Sequence, residues 1–310
     1  VFPASRHFSC GRMQFLYENR AARVMHRISF TVFCLVLIYV ILLMLPGYNG
    51  VQSIPFYQNK SFNNIAHGTA RELLPGNTLE GALNAVAVGA DIIELDIHLT
   101  ADNVVVVRHD ASVDLTTNGS GLIADMTLIE LQAFDVGFHE IDYPEKQAVD
   151  GIRVPTLESL FEALPDRRFL IELKPNSTDT GVALCQLVLA HGLQNQVVVG
   201  SFYSSVLRDF RRQCPDVPTS LGEEEVQVLV LLSWIGLGHL YSASGFSVQL
   251  PFEYKGVELI SKSLLRTARE LNLAVDVWTI NDPQQMLELK KLGVNGIITD
   301  RPDVLHAIDI

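Results

Sequence analysis

The sequence predicts an α/β fold: a (β/α)8 TIM barrel with a segment inserted after its second strand, preceded by one N-terminal transmembrane helix. Three observations carry that reading. From residue 62 onward, short β-rich apolar runs alternate with helical patterns, as βαβ units and a parallel sheet require. The stretch from 62 to 308 matches the roughly 250 residues that such barrels take. Ahead of it, Ile28 to Pro46 reads ISFTVFCLVLIYVILLMLP without a charged residue, close to the about 20 apolar residues that cross a bilayer core.

In chain order, residues 1–27 form a basic segment in which Arg6, Arg12, Arg20, Arg23 and Arg27 face Glu18 alone, a local charge of +4. Residues 28–46 are the transmembrane helix, apolar on every face, which is unusual for a helix of a soluble domain. Lys60 is the first charge beyond it. The positive-inside rule then leaves the N-terminus in the cytoplasm. The chain is thus expected to be a single-pass protein of the cytoplasmic membrane, with its barrel extracytoplasmic. A cleaved signal peptide competes with this, but its small-residue site is weak in PGYNGVQSIP, which favours an uncleaved anchor.

Taking +4 from the total of −12 leaves −16 on residues 28–310. An acidic domain of that kind argues against nucleic acid as a partner. Cys10, Cys34, Cys185 and Cys214 show no metal-ligand spacing, and Cys185 and Cys214 can pair in an oxidising compartment.

Residues 47–61, GYNGVQSIPFYQNKS, read as a polar linker, and residues 62–310 as the barrel. Strands are expected at 62–67, 91–97, 169–174, 196–201, 217–221, 244–249, 274–279 and 296–299. Helices are expected at 78–88, 179–191, 203–213, 260–271 and 283–291. A doubly wound open sheet is the alternative, but no glycine-rich dinucleotide turn follows the first strand. Residues 102–156 interrupt the rhythm with NVVVVRHD, the turn-rich TTNGSG, and a helix that Thr127 and Glu130 begin at capping-box spacing. The apolar stretch 226–241 is either a barrel helix packed by one face or a hydrophobic surface near the pocket.

Glu94 and Asp96 stand two apart in DIIELDIHLT, and Glu172 and Lys174 two apart in FLIELKP, so each pair points to one side of its strand. Both pairs sit at C-terminal strand ends, the active face of a barrel. Carboxylates buried together require a cation. Oxygen ligands without Cys or paired His suit Mg2+ or Ca2+ better than zinc. A structural ion pair explains one such pair as well; two pairs in register favour a site. His67 ends the first strand and His109 follows NVVVVRHD, so the two can serve as an acid–base pair. His98, on the face of Glu94 and Asp96, is read as structural.

The ordered series AH, PGNTLEGAL, GADIIELDIHLT, VVVRHDASVDLTTNGSG, VPTLESL, IELKP, VDVWTINDPQQM and LGVNGIITDRPDVL resembles the glycerophosphodiester phosphodiesterase family over residues 62–308. The resemblance implies one divalent cation, Mg2+ or Ca2+, held by Glu94, Asp96 and Glu172, with His67 and His109 catalytic. It assigns Lys174 to the substrate phosphate and Trp278 to the pocket wall. The implied reaction is hydrolysis of a glycerophosphodiester to glycerol 3-phosphate and an alcohol. A lysophospholipid is the alternative substrate, and a weakened diester-binding barrel the alternative class. The chain departs from the family at Gly68, Gly76 and Leu115, where the family carries arginine, glutamate and arginine. Arg71 is therefore expected to contact the phosphate, and Asn77 is read as the cap of the next helix, with Glu80 at capping-box spacing.

Overall fold

In the computed structural model, which describes residues 10–58, 62–137 and 151–308, the chain divides into two units, Val1–Gly47 and Tyr48–Ile310. The first contains helix α1 (Cys10–Met44). Its stretch Val24–Met44 has a mean hydropathy of 2.4. At 1.5 Å per residue it is about 32 Å long, enough by length and composition for a membrane span, a test that a signal sequence also passes. The helix stops at Met44 because Pro46 disfavours helical geometry at Leu45. Lys60 lies outside the described residues.

The second unit opens with α2 (Pro55–Gln58), β1 (Asn63–Ala66), α3 (Leu79–Ala87), β2 (Ile92–Leu99) and β3 (Val105–Val107). Then come α4 (Leu128–Leu131), α5 (Leu157–Ala163), β4 (Arg168–Leu173), α6 (Thr178–Ala190), β5 (Val197–Gly200), α7 (Ser204–Gln213) and α8 (Glu223–Trp234). After β6 (Ser247–Pro251) and the hairpin of β7 (Glu253–Tyr254) and β8 (Val257–Glu258) follow α9 (Lys262–Glu270), β9 (Ala274–Trp278), α10 (Pro283–Leu292), β10 (Gly296–Thr299) and α11 (Pro302–His306).

Seven parallel strands run in the order β5-β4-β2-β1-β10-β9-β6. The eighth strand, expected at 217–221, is reduced to two isolated parallel bridges, Thr219 to Val199 and Ser220 to Ser247. Pro218 and Gly222 bracket this segment and leave little room for a ladder. It still closes the ring, since Ser220 N–H donates to the Val199 carbonyl at 2.9 Å and Leu221 N–H to that of Ser247 at 2.8 Å. The result is a TIM-barrel-like fold in which β2, buried along nearly its whole length, reads as the continuous apolar run of a parallel sheet.

The insertion pairs β3 antiparallel to β2 and builds its own small core from Val106, Val113, Ile123, Leu131, Val136, Ile152 and Val154. Thr127 and Glu130 form the expected capping box. Residues 138–150 of the insertion lie outside the described residues. A disulfide joins Cys185 of α6 to Cys214 at the end of α7.

Residues 51–58, within the segment read as a linker, are packed. Val51 N–H donates to the Leu271 carbonyl at 2.9 Å, and Phe56 is buried with Ile65, Ile92, Leu170, Val198 and Ile298. Arg168 and Asn63, at the starts of β4 and β1, hold this plug: Arg168 donates to the Phe56 carbonyl at 2.6 Å and to Asn63 Oδ1 at 2.8 Å. Phe56 therefore fills the N-terminal end of the barrel, opposite the face where the strands end.

Next to the plug, Tyr57 donates its hydroxyl to Asp276 Oδ2 at 2.9 Å. Burial pushes the Asp276 carboxyl up to about 7, against the pull of the Tyr57 hydrogen bond and the Arg168 charge. Folding thus favours the protonated acid. Its stabilisation is complete below the unfolded value of about 3.9 and is lost as pH rises through about 7. The swing is on the order of 4 kcal/mol. Asp276→Asn should remove this decline in unfolding free energy between about pH 4 and 7. Denaturant titrations across that window would show equal slopes for both proteins if Asp276 were ordinary.

Candidate active site

The site begins with strand register. Asp96 of β2 lies directly across from Glu172 of β4, and Glu94 stands two residues before Asp96 on the same face. One ligand oxygen from each carboxylate lies within 4.8 Å of the others. Burial, and next the charge of Asp96, raise the pKa of Glu94; the same two causes in the same order raise that of Glu172. Lys174 partly relieves this repulsion, with Nζ 3.1 Å from Asp96 Oδ1 and 3.1 Å from Glu172 Oε2. One lysine against three carboxylates leaves the cluster negative, and the all-oxygen donor set fits a hard divalent cation.

The loop after β1 holds the cluster from the other side. Gly68, Thr69 and Ala70 are left-handed, with φ of 48, 63 and 66, strain that a β-branched threonine rarely carries. Through this turn Gly68 N–H donates to Glu94 Oε2 at 2.6 Å. Asn77, also left-handed at φ 56, donates Nδ2 to Asp96 Oδ2 at 2.9 Å and accepts the Asp96 backbone N–H at 3.0 Å. The cap of α3 is Thr78 and not Asn77: the Thr78 hydroxyl accepts from Gly81 N–H at 3.0 Å. Asn77 is held away from the helix because its amide is committed to Asp96.

His67 approaches Asp300 through Nδ1 at 2.6 Å. Burial alone would lower the His67 pKa, but the Asp300 hydrogen bond and the charges of Glu94 and Asp300 outweigh it and hold it above the ordinary value. Arg71 Nε donates to Asp300 Oδ1 at 2.8 Å and Asn281 Nδ2 to Oδ2 at 2.7 Å. Asp300 therefore stays ionised: burial works against this, but His67 and Arg71 bring its pKa below the usual value. Arg71 occupies space that Gly76 leaves, since a Cβ there would come within 2.7 Å of Arg71 Cβ.

His109 is half exposed and pairs Nδ1 with Asp110 Oδ1 at 2.8 Å. His98 is buried, and its Nε2 lies 3.1 Å from the His109 carbonyl, so it positions the His109 backbone. His67 biases Glu94 and His109 biases Glu172, which sets the two histidines beside different carboxylates of the cluster. Arg108, buried and lowered to about 10 by desolvation, braces the Gly76 carbonyl at 3.4 Å. Trp278 meets Phe202 edge to face, with ring centroids 5.9 Å apart.

A cavity of about 580 Å³ gathers His67, Arg71, Glu94, His109, Glu172, Lys174 and Trp278 on its walls; Asp96 stands just behind, held by Asn77 and Lys174. The fold thus brings together the residues singled out from the sequence. It adds Asp300, Asn281 and Arg108, which sequence reasoning passed over. Asp300 directly follows β10, the same strand-end position that drew attention to His67, so the signal was present in ITDRP.

The sequence model of the glycerophosphoryl diester phosphodiesterase family matches residues 67–304. A glycerophosphodiester phosphodiesterase of Caldanaerobacter subterraneus subsp. tengcongensis is 31% identical over 250 residues, covering 78% of this chain and 95% of that protein. A lysophospholipase D of Rattus norvegicus is 27% identical over 269 residues, covering 78% of this chain and 84% of that protein. The crystal structure of a glycerophosphodiester phosphodiesterase from Agrobacterium tumefaciens superposes with a TM-score of 0.63 at 25% identity, over 79% of this chain and 98% of that one.

Asn77→Gly keeps the left-handed backbone and removes both side-chain bonds to Asp96. Isothermal titration with Mg2+ or Ca2+ should then show an affinity about 10- to 100-fold weaker than wild type, as loss of an outer partner of a metal ligand does. Equal affinity would remove Asn77 from the cation site.

Proposed function

The chain belongs to the glycerophosphoryl diester phosphodiesterase family, and on that premise we propose that it hydrolyses glycerophosphodiesters to glycerol 3-phosphate and an alcohol, with His67 and His109 as the proton-transfer groups. The observation that carries this reading is the convergence of the Glu94–Asp96–Glu172 cluster with two histidines at one cavity, each histidine set by a carboxylate on Nδ1.

Glu94, Asp96 and Glu172 are the residues to hold one divalent cation, Mg2+ or Ca2+. When bound, it supplies charge that polarises a phosphoryl oxygen and offsets the negative charge of the transition state. Asp300 fixes the His67 ring with Nδ1–H donating and leaves Nε2 for the substrate; Asp110 does the same for His109. One histidine takes the proton of the attacking hydroxyl and the other protonates the departing alcohol oxygen. Attack by water or by the glycerol 2-hydroxyl leads to the same net hydrolysis. Lys174 and Arg71 face the diester phosphate as cations, and Trp278 lines the substrate's path.

The location follows from the N-terminal unit: residues 28–46 as a single span, the basic flank inside, and the barrel on the extracytoplasmic side of the cytoplasmic membrane. The Cys185–Cys214 disulfide supports that side, because such bonds persist in oxidising compartments. In sealed vesicles with the cytoplasmic face outward, added protease should spare the barrel; rapid digestion would reverse the orientation.

His67→Ala and His109→Ala should each lower kcat on glycerophosphocholine by about 10²- to 10⁴-fold. EDTA should abolish turnover, and Mg2+ or Ca2+ restore it. Wild-type kcat in both histidine variants would end the acid–base assignment. Arg71→Ala separates two roles: loss of a charged phosphate contact raises KM by roughly 10-fold or more, whereas an effect through Asp300 and His67 appears in kcat.

A further inference from the structure

Helix α8 changes character along its outer face. A surface helix normally keeps charged and polar residues on the side turned away from the core. The start of α8 obeys this, with Glu223, Glu224 and Gln227 exposed. The rest does not: Val228, Leu231 and Trp234 are 50%, 56% and 46% exposed, while Leu229 and Ser233 are buried. No Asp, Glu, Lys or Arg occurs from Val226 to Phe252. At the mouth of the cavity the apolar surface continues into Phe202 and Tyr254, both half-exposed and both lining the cavity with Leu231 and Trp234. Contiguous exposed apolar surface of this kind marks a docking face.

The route of the chain identifies what lies against this face. Tyr48, the first residue of the second unit, donates its backbone N–H to the His239 carbonyl at 2.8 Å, in the loop that follows α8. The candidate span ends at Met44, and the residues from there to Tyr48, even fully extended, reach at most about 14 Å. A bilayer holding that span is therefore kept within reach of α8, at an effective concentration that lets a small apolar patch suffice. A protein partner free in solution lacks that advantage. Trp and Tyr also favour the level of the lipid head groups, where one end of the ring is apolar and the other wet. We propose that Val228, Leu231 and Trp234 of α8, with Phe202 and Tyr254, dock the barrel on the lipid surface of the bilayer that the N-terminal helix spans, so that the reaction cavity opens at that surface. This rests on the reading of residues 28–46 as a span.

The test uses the full chain in phosphatidylcholine nanodiscs whose acyl chains carry bromine close to the head group, with emission read from wild type and from Trp234→Phe. The chain has two tryptophans, so the difference isolates Trp234. Bromolipid should quench the Trp234 emission by about half or more, since an interfacial apolar face lies about 5–10 Å into the head-group boundary. Aqueous iodide should quench it little. Val228→Glu combined with Leu231→Glu, both on the exposed face, should lose most of the bromolipid quenching, because the two carboxylates resist leaving water; circular dichroism confirms folding. Quenching by iodide and not by bromolipid leaves the face open to water and overturns the proposal. Protection from both quenchers means that protein covers the face, with the same result, and wild-type bromolipid quenching in the double variant overturns it as well. In each of these cases a chain that stays with the nanodiscs leaves the span reading standing; if the chain does not enter them, both readings fall.

Discussion

Like charge pressed together at the mouth of the barrel is the constraint on which the rest of the site depends. Parallel register between β2 and β4 sets Asp96 against Glu172, and Glu94 follows from the period of the strand. Nothing in the local backbone can relax this, because a one-residue slip would exchange the two buried faces of β2, moving Glu94 and Asp96 into the apolar layer that Ile93, Leu95 and Ile97 now fill. The fold answers with directed donors: Gly68 N–H on Glu94, the Asn77 amide on Asp96, and the Lys174 ammonium bridging Asp96 and Glu172. The strained turn after β1 makes sense in this light, since its left-handed residues aim an amide at a carboxylate that would otherwise repel its neighbours.

A second consequence concerns the loop after β1. Gly68 and Gly76 bring neither charge nor bulk to it. Arg71 fills the space beside them and reaches Asp300, the carboxylate that orients His67. Positive charge at this wall of the cavity therefore comes from Arg71. Arg71 is bound to the residue that sets the histidine, so a cation on the cavity wall and the orientation of the His67 ring come from one network of Arg71, His67, Asn281 and Asp300.

Periodicity and strand-end position made most of this legible in the sequence. The alternation of strands and helices yields the barrel, and Glu94, Asp96, Glu172, His67 and His109 all follow from asking which polar groups end apolar strands. Two kinds of feature escaped. The eighth strand was overread because Val217 to Leu221 has β-like composition, while Pro218 and Gly222 confine its pairing to single bridges. Asn77 was misread as a cap because its spacing to Glu80 is local, whereas its commitment to Asp96 spans a helix and a strand. Phe56 escaped for the same reason: its partners are distant in sequence, and no local pattern encodes them. Asp300 differs, since it stands at a strand end and the pattern that marks His67 marks it too.

The plug formed by Phe56 bears on where this barrel ends. The match to the family's sequence model begins at residue 67, and strand content begins at Asn63. Physically, the boundary lies earlier. A fragment cut at residue 62 would leave Ile65, Ile92, Leu170 and Val198 open to water from below, with the Arg168 guanidinium stripped of its Phe56 carbonyl. A fragment cut at Tyr48 carries its own stopper. The smallest autonomous piece of this chain is therefore set by the closure of its floor, and is longer than the match to the family's sequence model.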